Sequence, residues 1–91
     1  MIETEAKILA IIDEMVDSAS DDQLFAGGYI RGHLTQSVAE LEKEGLSSPT
    51  DLKQRVEQSL QSAIAHKELS PPDQVLVLEM WQHLYQQATT A

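Results

Sequence analysis

Leu24-Phe25-Ala26-Gly27-Gly28-Tyr29-Ile30-Arg31-Gly32-His33-Leu34-Thr35 decides the reading of the whole chain, because it is either a glycine-rich ligand loop or the middle of a long helix. It holds three of the four glycines, the only Phe, one of two Tyr and one of two Arg. Its flanks favour the helix. Upstream, Ser20-Asp21-Asp22-Gln23 is a capping-box pattern: the serine hydroxyl accepts from the backbone N–H three residues on, and the glutamine reaches back. Downstream, Gly45 follows Glu40-Leu41-Glu42-Lys43-Glu44 and takes the left-handed conformation that stops helices. The pattern predicts a helix over 21–44. Three interior glycines cost it about 3 kcal/mol relative to alanine. A close helix contact, a kink or a site has to offset that cost.

The apolar residues of this helix fall on two arcs. Ile30, Leu34, Val38 and Leu41 form one. Leu24, Phe25 and Tyr29, with Gly28 and Gly32 among them, form the other. Two arcs predict two neighbours. Gly28-x-x-x-Gly32 has the spacing that lets two helices approach closely, and Gly27-Gly28 is a recognised kink cause, so packing within the chain or a kink is the first expectation for these glycines. Arg31 lies in the gap between the arcs. It is the only base between Lys7 and Lys43, and Asp13 is its expected partner. The glutamates at 40, 42 and 44 crowd the negative end of the helix dipole, and nothing local compensates them.

Working outward, a first helix is expected from about Ile2 to Ser18, with Ile8, Leu9, Ile12, Met15, Val16 and Ala19 on one arc. Glu3 and Glu5 suit its positive end. Ser48 caps a third helix with Pro49 in its first position. Leu52, Val56, Leu60, Ala63 and Ile64 give that helix a thin apolar stripe to about Lys67. Ser70 caps a fourth with Pro71, running over 71–89. Val77, Leu78, Met80, Trp81, Leu84, Tyr85 and Ala88 make its wide arc, and Gln86–Ala91 should fray. No strand periodicity appears. Four helices at about 2–18, 21–44, 49–67 and 71–89, joined by short turns, predict an all-α, up-and-down antiparallel four-helix bundle in a single domain over 1–91.

The net charge of −9 is uneven: residues 1–45 hold ten acids and three bases. Such a surface repels nucleic-acid phosphate and anionic lipid, so neither nucleic acid nor membrane is expected as a partner. A basic protein partner, or self-association, is. With no Cys there is no disulfide, thiolate site or thiol nucleophile. The acidic N-terminus and the absence of an apolar run give the expectation of a cytoplasmic protein.

Asp13, Asp17 and Asp21 recur every four residues, but they do not turn inward together with a Glu-x-x-His element. No metal and no cofactor are therefore expected. His33, His66 and His83 make no ligand pair, and no serine sits on a nucleophile elbow, so no catalytic residue is assigned and the protein is not expected to be an enzyme. The candidate interaction or packing site is Phe25, Gly28, Tyr29, Arg31, Gly32 and His33.

The run Ser18–Thr35, ending in Leu24-Phe25-Ala26-Gly27-Gly28-Tyr29-Ile30-Arg31-Gly32-His33-Leu34-Thr35, resembles the YfcL family of small gammaproteobacterial proteins. So do Val38-Ala39-Glu40-Leu41-Glu42, Glu68-Leu69-Ser70-Pro71, Asp73-Gln74, Met80-Trp81 and Gln86-Gln87-Ala88. The resemblance spans nearly the whole chain apart from the Lys43–Lys53 turn region. It implies a bacterial cytoplasmic setting, and an uncharacterised family without an established activity, cofactor or catalytic residue to carry over. The first functional expectation is a small, acidic, non-catalytic protein-interaction or adaptor module. The alternative is a small-molecule or anion-binding domain with a pocket near Phe25, Tyr29, Arg31, His33 and Trp81. A weak hydrolase or metal protein ranks last.

Overall fold

The computed structural model describes residues 3–90. The helices are α1 (Glu3–Met15), α2 (Asp21–Glu44), α3 (Pro49–Ala65) and α4 (Pro71–Thr89), in that order along the chain. They pack as an all-α four-helix bundle. α2 and α4 each touch every other helix, while α1 and α3 barely meet and α3 and α4 touch least of the remaining pairs. With α2 and α4 drawn together across the bundle, the molecule is flattened, 35 × 31 × 18 Å.

The helix starts are set locally. Ser20 Oγ accepts from the Gln23 N–H at 3.2 Å, and Gln23 Oε1 accepts from the Ser20 N–H at 2.9 Å, completing the capping box. Ser48 and Ser70 cap α3 and α4 through the serine Oγ alone, which accepts from the Asp51 and Asp73 N–H, and each is followed by proline. Leu69, just before the Ser70 cap, is buried. Its carbonyl accepts from Gln74 Nε2 at 3.1 Å.

The helix ends are less uniform. Gly45 stops α2 at φ 75°, with its N–H bonded to Glu42 O and the Leu46 N–H bonded to Leu41 O. α3 stops by the same reverse bonding, Lys67 N–H to Ile64 O and Glu68 N–H to Ala63 O, but here a lysine occupies the left-handed position at φ 59°. α3 therefore ends at Ala65, two residues before the expected Lys67. α1 ends at Met15 rather than Ser18. Without a stop glycine it closes through a tightened turn, with the Ser18 and Ala19 N–H groups both on Met15 O. Ile2, where the first helix is expected to begin, lies outside the described residues. α4 holds to Thr89 instead of fraying from Gln86, because Ala88 is buried. Ala91 lies outside the described residues.

The core is the predicted stripes brought together: Ile8 and Ile12 of α1, Ile30, Leu34, Val38 and Leu41 of α2, Leu52, Val56 and Leu60 of α3, and Val77, Met80, Trp81 and Leu84 of α4. Trp81 is the largest fully buried side chain, and its indole N–H donates to Glu57 Oε2 at 3.0 Å. Full burial stabilises each large aliphatic side chain by about 1.5–3 kcal/mol. Four of them on α2 outweigh the roughly 3 kcal/mol that its glycines forgo, so packing holds this helix together despite its sequence. α2 runs unbroken from Asp21 to Glu44, so Gly27-Gly28 does not interrupt it.

Candidate functional site

At 100° per residue, Gly28 and Gly32 lie two positions either side of the core residue Ile30, each about 160° around the helix from it. They are on the side of α2 that faces away from the bundle. Beyond the backbone of α2 itself, a Cβ built on either would meet no atom of the described residues within 4 Å. Gly27 faces α1, but a Cβ there would stand 3.6 Å from Ile12 Cγ2, an ordinary contact. Packing within the chain thus requires none of the three to be glycine. This corrects the expectation that Gly28 and Gly32 admit a neighbouring helix of the same chain. The second apolar arc is only partly covered: Tyr29 packs against the core, while Leu24 and Phe25 remain 40% and 43% exposed.

The outward ridge separates two sides of α2. On the side of α3, Phe25, Tyr29 and His33 stack at successive turns, with ring centroids 6.0 Å and then 4.7 Å apart. The Tyr29 hydroxyl donates to Glu68 Oε1 at 3.2 Å. Burial, and then the neighbouring Glu68 charge, push its pKa up. His33 Nδ1 lies 2.6 Å from Ser59 Oγ. Ser59 is in the middle of α3, whose interior amides are used in the helix, so the backbone supplies no oxyanion donor beside its hydroxyl.

On the side of α1, Arg31 Nη1 donates to Asp13 Oδ1 at 3.1 Å, the partner expected for it. Above this pair lies a slot of about 160 Å³ between the end of α1 and the start of α2. Ile12, Met15, Val16, Leu24, Gly27 and Gly28 form most of its lining. Val16, expected to face inward, is 59% exposed, because α1 has already ended at Met15. Val16 is thus a surface residue; the signal for it lies in the Ser18-Ala19-Ser20 connection, which carries no stop glycine and leaves the helix end undefined.

The candidate residues therefore divide. Phe25, Tyr29 and His33 form one ladder, Arg31 lies on the opposite flank, and Gly28 and Gly32 lie between them. Trp81, on α4, opens on a different depression. It lines a shallow groove between α3 and α4 with Glu57 and Tyr85, whereas His33 borders a polar depression between α2 and α3. Phe25, Tyr29, Arg31, His33 and Trp81 do not share a pocket among those found in the described residues. Among the described residues, no three His, Asp or Glu side chains converge to hold a metal ion, and no helix is long and apolar enough to cross a membrane.

The electrostatics at the far end of α2 also depart from the sequence reading. Arg55 of α3 grips Glu44 with two bonds, Nη1–Oε2 at 2.6 Å and Nη2–Oε1 at 2.7 Å, and reaches Glu40 at 3.4 Å. The hydrogen bonds from Arg55 hold the Glu44 carboxyl below its ordinary value and raise the guanidinium in turn. This clasp compensates Glu40 and Glu44, which nothing local could. Glu5, expected to suit the positive end of α1, is also buried there. Burial, and then the Glu42 charge, push its pKa up.

The family model for the YfcL protein matches residues 2–86. The chain belongs to the YfcL family. It is 56% identical over 87 residues to "Uncharacterized protein YfcL" of Escherichia coli (strain K12), covering 96% of this chain and 95% of that protein. No solved structure matches. The family match spans both the outward glycines and the slot beside them.

Proposed function

We propose that the protein is a non-catalytic interaction module of the adaptor type, working in the bacterial cytoplasm, which receives a partner protein on the outward face of α2 and the adjoining slot against α1. One observation carries this reading: Gly28 and Gly32 weaken a long helix, yet no atom of the described chain uses the space they leave. A glycine row flanked by exposed Leu24 and Phe25 is a surface on which another helix can lie close. The small-molecule reading draws no support from Phe25, Tyr29, Arg31, His33 and Trp81: Trp81, His33 and Arg31 line three separate depressions, and Phe25 and Tyr29 line none of these.

The test is affinity capture from the native cytoplasm with the wild type, Gly28→Leu and Arg31→Ala. Gly28→Leu fills open space, so it keeps the fold, which its unfolding midpoint verifies. The reading expects a protein retained by the wild type and lost with Gly28→Leu. An identical set of captured proteins with both would contradict it.

A further inference from the structure

The slot beside Gly28 sits in the most acidic stretch of the surface. Residues 13–22 contain Asp13, Glu14, Asp17, Asp21 and Asp22 and no base, and all five are exposed. Asp13 is paired with Arg31. Glu14, Asp17, Asp21 and Asp22 make no ion pair among the described residues. Their sequence neighbours Met15, Val16 and Gln23 line the slot, as does Arg31, whose charge Asp13 answers, so an apolar floor is flanked along the chain by acids that pair with no basic side chain among the described residues. The floor volume of about 160 Å³ is close to the roughly 150 Å³ that accommodates a benzene ring in a protein interior. It takes one large apolar side chain.

We infer that the partner's docking element is a cationic amphipathic helix, which lies along the Leu24–Gly28–Gly32 row and inserts one large apolar side chain into the slot between α1 and α2. This rests on the interaction-module reading and adds the chemistry of the partner. Leu24, Gly28 and Gly32 follow one another at four-residue steps, so they form a row with its side chains missing after Leu24, and a ridge of a second helix fits such a groove. Lys and Arg beside that ridge meet Asp17, Asp21 and Asp22. A second copy of this chain is a poor occupant. A two-fold contact through this corner would set the same acids against each other, on molecules of net charge −9.

Two synthetic helices of about 18 residues provide the test. They share a leucine face; one carries Lys and Arg on its polar face and the other Glu. Each is titrated into the full chain while backbone amide resonances are followed. The basic helix should shift Val16, Leu24 and Gly28. Its affinity should fall about tenfold or more between about 50 and about 500 mM salt, as charge pairing is screened. Gly28→Leu, which blocks the slot and leaves every charge in place, should weaken it by at least about tenfold, the order expected for losing one buried side chain. Equal binding to Gly28→Leu and wild type would reduce the contact to diffuse charge attraction and overturn the inference. Equal binding of the acidic helix at the same amides would overturn the charge assignment while leaving the α2 face as a docking surface. Absence of shifts at this corner with either helix would overturn the inference. If capture were also insensitive to Gly28→Leu, the interaction-module reading would fall as well.

Discussion

Arg31 and Asp13 join α2 to the end of α1 through a single hydrogen-bonded ion pair of 3.1 Å, with both side chains more than half exposed to water. An exposed pair gains little, because water already solvates both charges and salt screens them; measured values run from near zero to about 1 kcal/mol. Asp13→Asn should therefore lower stability by less than about 1 kcal/mol, and the loss should shrink in high salt. Urea unfolding of both proteins at low and high salt checks this.

Arg55 is a different case. Its fork binds both oxygens of Glu44 and touches Glu40, and paired, bidentate geometry is where ion pairs become significant. Arg55→Ala strands Glu40 and Glu44 at the negative end of α2. It should lower the unfolding midpoint more than Asp13→Asn does. The Glu44 pKa is depressed in the folded state, so the clasp contributes fully above the ordinary carboxyl value of 4.5. Its contribution is lost as pH falls through the lower folded value. The gap between wild type and Arg55→Ala should close on acidification, which midpoints measured across pH will show.

Glu5 should behave with the opposite sign. Its folded pKa is raised by burial and by Glu42, so its charged form opposes folding, and stability from this group rises as pH falls through the folded value. Glu5→Gln removes that charge. The variant should be more stable than wild type at pH 7, and the advantage should fade at acid pH. A pH series of thermal midpoints for the two proteins tests the sign.

Lys67 holds a left-handed conformation that costs a non-glycine residue roughly 1–2 kcal/mol. Because it sits at the stop of α3 with both reverse hydrogen bonds formed, Lys67→Gly should stabilise by about 1 kcal/mol. Equilibrium unfolding measures it.

The contrast between helix starts and helix ends explains what the sequence could and could not reveal. Ser20, Ser48 and Ser70 were legible because a cap is settled by residues three apart. The core stripes were legible because burial follows helical periodicity, and an Arg31 pair with an acid of α1 was legible because Arg31 is the only base between Lys7 and Lys43. The Arg55 clasp was not, since it joins α2 and α3 across the turn between them and depends on how they pack. Glu5 was half legible: the spacing from Ile12 to Ile8 carries back to Thr4 and Glu5, both buried, but its proximity to Glu42 needs the tertiary fold. The glycines misled. Small-residue spacing identifies a face that a helix can approach, and it does not say whether that helix belongs to the same chain.

The unfolding free energy of the double variant Gly28→Ala/Gly32→Ala addresses that face most directly. Both positions are helical, outward and empty within 4 Å, so each alanine should add about 0.8–1 kcal/mol, and the pair nearly 2 kcal/mol, over wild type. Such a gain would show that these glycines weaken the fold and serve something outside it. An unchanged or lower stability would mean that the chain's own packing requires them, and would contradict the docking surface proposed for α2.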